Sequence, residues 1–124
     1  MNVVDPSGWI EYLSGGPNAD FFADAIQESD TLLVPTLSLF EVFRHVLRHA
    51  GREEALRVAA AMRRGTLIDL DSSLALEAAE LSVGEGLALA DGVILATARS
   101  RAAVLWTQDR DFEGVESIRF RPKG

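Results

Sequence analysis

The chain has 124 residues, 48% of them apolar, and no cysteine. That length supports a single domain over residues 1–124 that buries roughly two-thirds of the surface its unfolded form exposes, without disulfides or thiolate metal sites. A formal net charge of −7 argues against a protein that coats nucleic acid indiscriminately. Residues 2–4, NVV, read as a short buried strand ended by Asp5 and Pro6, and SGWIEYL makes a helical turn or two before the breaker SGGPN. ADFFADAIQES has helical spacing through Phe21, Phe22, Ala25 and Ile26. TLLVP is a second strand, in which Pro35 has no N–H for the ladder. Thr36 is the expected N-cap of a long helix over LSLFEVFRHVLRHA, stopped at Gly51. REEALRVAAAMRR is an amphipathic helix closed by Gly65, TLIDL a third strand, and DSSLALEAAELSV a helix capped by Asp71 or Ser72. After the GEG loop, LALADGVILATA is an almost wholly apolar helix opened by Asp91, AVLWT a fourth strand and SIRF a fifth, at the edge.

Strands alternating with helices predict an α/β fold: a Rossmann-like α/β/α sandwich on a mostly parallel sheet of four to five strands. Ligands of such sheets sit beyond the carboxyl ends of the strands. Asp5 follows the first strand, Asp109 and Asp111 follow the fourth, Asp91 opens the helix leading into the fourth, and Glu41 lies one turn into the long helix after the second. Each acid alone has an ordinary explanation as a cap, a turn residue or half of a surface ion pair. Brought together they repel and raise one another's pKa unless a cation sits among them. Mg²⁺ or Mn²⁺ is the natural one, because hard cations take carboxylate and water oxygens. Such ions activate water and steady the leaving oxygen of a phosphodiester.

Eleven of the twelve basic residues are arginine, the better side chain for bidentate phosphate contacts. Glu41, Arg44, His45 and Arg48 fall on one helical stripe, with Val42, Phe43, Val46 and Leu47 mostly opposite, toward the core. Arg44 and Arg48 are therefore candidates for contact with a nucleic-acid backbone, or else a solvated face with local ion pairs. His45 and His49 have the spacing of a zinc pair, but no third ligand is evident and the glutamate of the metalloprotease motif is missing. Trp9, Tyr12, Leu13, Phe40 and Phe43 read as core or subunit contacts. The second and third helices carry apolar surface beyond what one small sheet covers, which predicts a homodimer.

The segments NVVDPSGWIEYL, SLFEVFRHV, LALADGVILATA and VLWTQDRDF, in that order, resemble the four acidic motifs of PIN-domain nucleases, most closely the small VapC-like toxins of type II toxin–antitoxin pairs. The resemblance covers essentially the whole chain. It implies a PIN-like domain with Mg²⁺- or Mn²⁺-dependent endoribonuclease activity, an RNA substrate, and a cognate VapB-like antitoxin that holds it inactive. Carried over by motif, Asp5, Glu41, Asp91 and Asp109 are the catalytic acids, and Asp5, Asp91 and Asp109 hold metal. Ser7, Thr107 and Asp111 orient them, and either aspartate of TQDRDF can match the family's last acid. Pro6 departs from the small or hydroxyl residue common after the first aspartate, but removes no ligand.

Two other readings stand beside this one. A phosphoacceptor receiver domain has similar length and an acid cluster that binds Mg²⁺, but it needs a lysine after a late strand, and Lys123 is the only lysine here. A catalytically inactive PIN-like binding module would lack an acidic motif position, and none is missing. No apolar run reaches the ~18 residues of a membrane span, and the first residues lack the basic start of an export signal. The expected location is the cytoplasm, with no membrane partner.

Overall fold

The computed structural model describes residues 1–124. Five strands, β1 (Asn2–Val4), β2 (Leu32–Pro35), β3 (Thr66–Ile68), β4 (Val104–Thr107) and β5 (Ile118–Phe120), form one sheet in the order β3-β2-β1-β4-β5. Every neighbouring pair is parallel, so SIRF does supply an edge strand and the sheet is wholly parallel. Six helices accompany it: α1 (Pro6–Ser14), α2 (Ala19–Ile26), α3 (Thr36–Ala50), α4 (Arg52–Met62), α5 (Ser72–Glu85) and α6 (Leu89–Ser100).

Successive strand residues point to opposite faces, and both faces are apolar, as a doubly covered parallel sheet requires. Val3, Leu33 and Leu105 meet Leu74 and Ala78 of α5 and Ile94 and Leu95 of α6. Val4, Leu32, Val34 and Trp106 meet Trp9 of α1, Phe22 of α2, Val42 of α3 and Val58 of α4. Each such aliphatic side chain contributes about 1.5–3 kcal/mol by leaving water. The chain steps outward from β1 to β3 with helices on one face, then crosses back to β4 with α5 and α6 on the other. Right-handed crossovers demand that change of face when the direction of travel reverses. The reversal falls between β1 and β4, where a doubly wound sheet opens a crevice at its carboxyl edge. A receiver domain's 2-1-3-4-5 strand order is not the order seen here.

The composition of LALADGVILATA follows from the position of α6, between α5 and the sheet, where residues 92–98 are all buried. Gly92 lets the two helices close: a Cβ there would stand 3.0 Å from the Ala78 carbonyl oxygen and 3.1 Å from Ser82 Cβ. No single helix is long and apolar enough to cross a membrane.

Several boundaries differ from expectation for local reasons. Thr36 is not an N-cap. β2 runs straight into α3, Pro35 holds the cap position in extended geometry, and no side chain caps the helix. Pro35 lies past the last β1–β2 pair, Val3 with Leu33, and ends the strand opposite Ile68 of β3. Asp71 rather than Ser72 caps α5, accepting from the Leu74 N–H at 2.9 Å. Ala88 occupies the cap position of α6, so Asp91 lies inside its first turn and does not open it. TLIDL is a strand only to Ile68. Val42 is buried as expected, but Leu47 is 42% exposed. α2 buries Phe22 and Ala25, so the spare apolar surface is not on that helix. It lies on α3 at Phe40 and Leu47, and more fully on Leu76 and Val83 of α5 with Leu89 of α6.

Candidate active site

Asp5 ends β1 and is at the same time the N-cap of α1, where its Oδ1 accepts from the Gly8 N–H at 2.9 Å. Pro6 follows at the first helical position, where a missing N–H costs nothing. The Ser7 hydroxyl donates to the same Oδ1 at 3.0 Å, and Thr107 Oγ1 at the end of β4 donates to Oδ2 at 2.6 Å. The Asp5 N–H donates to the Trp106 carbonyl across the crevice. This carboxylate is buried and held from both strands that border the switch point.

Thr107 also fixes the next acid. Its Oγ1 accepts from the Asp109 N–H at 2.9 Å, and Asp109 Oδ1 accepts in turn from the Asp111 N–H at 2.9 Å. The resulting single turn, Arg110–Phe112, is anchored by fully buried Phe112. It brings Asp111 to the side of Asp109 and both to the first turn of α6. Carboxylate oxygens of Asp91, Asp109 and Asp111 all lie within 4.8 Å of one another. The geometry thus groups Asp111 with Asp109 and does not choose between them. Asp5 and Glu41 lie outside that tight trio, but both are near enough to act electrostatically on Asp91.

The charges show the strain of this convergence. Burial pushes the Asp91 carboxyl up to about 6, helped by the negative charges of Asp109, Asp111, Asp5 and Glu41. Asp5 is also pushed up to about 6, again chiefly by burial, against the hydrogen bonds from Thr107, Gly8 and Ser7. Burial raises Glu41, with the Arg44 guanidinium pulling it back. Glu41 Oε1 is buried without a hydrogen-bond partner, an orphan acceptor that asks for a ligand. Three converging carboxylates and the orphan oxygen of a fourth acid fit a hard divalent ion such as Mg²⁺ or Mn²⁺.

Along α3, Glu41, Arg44, His45, Arg48 and His49 line an open groove of ≈ 230 Å³. The stripe inferred from helical spacing is therefore a continuous polar surface leading away from the acids. His49 Nδ1 is engaged by the His45 carbonyl oxygen at 2.8 Å, and the two rings stack 4.3 Å apart.

Two contributors are absent from the sequence reading. Gln108 donates through Nε2 to the Ser7 carbonyl at 3.4 Å and accepts at Oε1 from Asn18 Nδ2 at 3.0 Å. Asn18 therefore ties the loop after α1 to the loop that carries Asp109. No local signal marks either residue, because their partners are remote in the chain. The capping role of Asp5 did have a signal: an acid, then proline, then a glycine N–H three residues on.

The chain belongs to the PIN domain family, whose model matches residues 3–117. Among solved structures its fold is similar to that of a chain of a toxin–antitoxin complex from Klebsiella pneumoniae, with a TM-score of 0.82 and 21% identity over 96% of each chain. It is also similar to VapC20 of Mycobacterium tuberculosis, described as a sarcin–ricin loop cleaving toxin, with a TM-score of 0.78 and 19% identity over 98% of this chain and 100% of that one. A chain of DNA-bound VapBC from Salmonella typhimurium has a TM-score of 0.74 and 18% identity, over 98% of this chain and 97% of that one. At these identities the likeness is one of fold. No curated protein sequence matches the chain.

Proposed function

We propose that this PIN domain is a Mg²⁺- or Mn²⁺-dependent endoribonuclease and the toxin of a toxin–antitoxin pair. The observation that carries the reading is the meeting of Asp91, Asp109 and Asp111 within 4.8 Å at the sheet's switch point, with Asp5 and Glu41 adding their charges. Asp5, Asp91 and Asp109 hold the metal, directly or through water, and Asp111 stands beside them. A divalent ion bound there lowers the pKa of water and offsets charge developing on a phosphodiester. Ser7 and Thr107 keep the Asp5 oxygens aimed, and Glu41 orients the attacking water with its unpartnered oxygen. No covalent enzyme intermediate is needed, since water made nucleophilic by the ion would attack the phosphorus itself, in line with the leaving oxygen. Arg44 and Arg48, in the groove that continues from Glu41, contact the RNA backbone.

The antitoxin partner is inferred from the proteins of similar fold, which include a toxin–antitoxin complex and a VapBC assembly. A VapB-like segment would lay apolar side chains near the site and set a basic group among the acids, matching their potential. The chain's net charge of −7 suits a basic partner. We place its work in the cytoplasm, on cellular RNA, as a homodimer.

The test is cleavage of RNA with Mg²⁺ or Mn²⁺ by the intact chain and by Asp5→Asn and Asp91→Asn. Cleavage by the parent and its loss in both variants is the expected result. Full activity in either variant overturns the assignment, and binding of RNA without cleavage by the parent gives the inactive module instead.

A further inference from the structure

The acids occupy only part of the sheet's carboxyl edge. Past β4 the sheet continues to β5, and on the face packed by α2 the charge reverses. Arg119 is in register with Trp106, and its guanidinium carbon lies 4.7 Å from that ring's centre. The Arg121 guanidinium carbon lies 4.8 Å from the centre of Phe21, whose ring is 5.1 Å from that of Trp106. Trp106 is itself fixed by a 2.8 Å bond from Nε1 to Asn2 Oδ1. Stacking on aromatic faces holds a guanidinium's plane while its N–H donors stay available. The ion pairs of the structure, Arg57 with Glu53 and Glu54 and Arg110 with Glu113, leave both arginines free of carboxylates.

The backbone carrying Arg121 is also held in place. Its N–H donates to the Thr107 carbonyl at 3.1 Å, and the next carbonyl, of Pro122, accepts from Asn18 Nδ2 at 3.0 Å. The same Asn18 amide reaches Gln108, the residue between Thr107 and Asp109. One side chain thus fixes Arg121 relative to the Asp109 loop. Arg63 and Arg64 precede β3 and Arg101 precedes β4, so those cations lie toward the opposite, amino edge of the sheet.

We propose that Arg119 and Arg121 form a phosphate-binding flank that holds single-stranded RNA on the β5 side of the acidic centre. The proposal rests on the ribonuclease reading and adds a direction to it. The five acids around the centre repel a polyanion, and metal among them offsets charge only at the phosphate being cut. Neighbouring phosphates need cations of their own. Arg44 and Arg48 lie along α3, Arg119 within β5 and Arg121 just after it, so the strand passes over the acidic centre between the two pairs.

The test compares the parent with Arg119→Gln, Arg121→Gln and the double variant, with Arg121→Lys as a charge-conserving control. Binding of a labelled single-stranded RNA is measured in chelator, where no cleavage occurs, as a function of salt. Each phosphate contact adds about 0.7 to the slope of log K against log salt. The double variant is therefore expected to lose about 1.4 of slope, while Arg121→Lys keeps it. With Mn²⁺ present, KM for a long strand should rise about tenfold in the double variant with kcat little changed, and a dinucleotide should be cut as before. An unchanged slope and KM in a parent that cleaves RNA overturns the flank and leaves the nuclease reading intact. A parent that binds with the expected slope differences but never cleaves supports the flank and removes the nuclease reading. Loss of affinity for an acidic protein partner with RNA binding unaffected also overturns it.

Discussion

Thr107 joins the two strands at the switch point through a single hydroxyl: it donates to Asp5 Oδ2 at 2.6 Å and accepts from the Asp109 N–H at 2.9 Å. The first bond sets an acid on β1 and the second an acid after β4, so the separation of the two carboxylates depends on this side chain. Thr107→Val keeps the shape and removes both bonds. A buried carboxylate left short of a donor costs about 1–3 kcal/mol, and loss of an orienting group of this kind costs about 10–100-fold in metal affinity or activity. Thr107→Ser should restore both. The measurement is thermal unfolding alongside Mn²⁺-dependent cleavage. Loss in the Ser variant with the Val variant unaffected would show that packing of the methyl group, not the hydroxyl, matters.

The raised acids make stability depend on pH in a set direction. Asp5 and Asp91 each move from 3.8 to about 6 on folding. Between about pH 4 and pH 6 the folded chain holds protons that the unfolded chain has released, so stability falls as pH rises through that window. Above it the penalty is fully present; below it, absent. A divalent ion relieves the penalty by binding the charged form. The metal-free protein should therefore melt higher at pH 5 than at pH 7.5, and Mn²⁺ should raise the melting temperature at pH 7.5 but hardly at pH 5. A Mn²⁺ shift of equal size at both pH values would mean that the ion binds elsewhere.

Most of the framework was legible because it rests on local rules. NVV, TLLVP, TLI and VLWT are apolar runs punctuated by Asp, Pro and Gly, and their alternation with helices forces a parallel sheet covered on both faces. The acids were legible as a set because Asp5, Asp109 and Asp111 follow strands, and Asp91 and Glu41 lie within the first two turns of helices at the same edge. Asn18 and Gln108 were not, since their bonds to each other and to Pro122 link positions about ninety or a hundred residues apart. Nothing in GGPNAD distinguishes a buried hub from a turn. Likewise Thr36 looks like a cap in sequence, and only the direct passage of β2 into α3 makes it the first helical residue instead.

Asp91 is subject to two opposed forces. As an acid in the first turn of α6 it gains from the helix dipole, about 0.3–1 kcal/mol. Against that stand its partial burial and four neighbouring acids, which together raise its pKa to about 6. Discounted for its half-exposure, this penalty is still on the order of 1–2 kcal/mol at neutral pH. Repulsion should therefore win. Asp91→Asn in the metal-free protein at pH 7.5 should melt a few degrees higher than the parent, and should lose both the Mn²⁺ shift and RNA cleavage. A lower melting temperature with cleavage retained would return Asp91 to the role of a dipole-stabilising residue.

The apolar strip on α5 gives the last prediction. Val83 is 86% exposed and Leu76 70%, and Leu89 at the start of α6 is 76% exposed, in a helix pair whose other face is core. A specific interface needs about 800 Å² from each partner, and this strip with the exposed Leu70 offers apolar surface to supply it. Because Val83 touches so little of its own chain, Val83→Glu should leave the fold intact and act only on association. In light scattering after gel filtration the parent should run as a dimer and Val83→Glu as a monomer. A dimer that survives both Val83→Glu and Leu76→Glu would place the contact on Phe40 and Leu47 of α3 instead, one of the two helices to which the sequence assigned it.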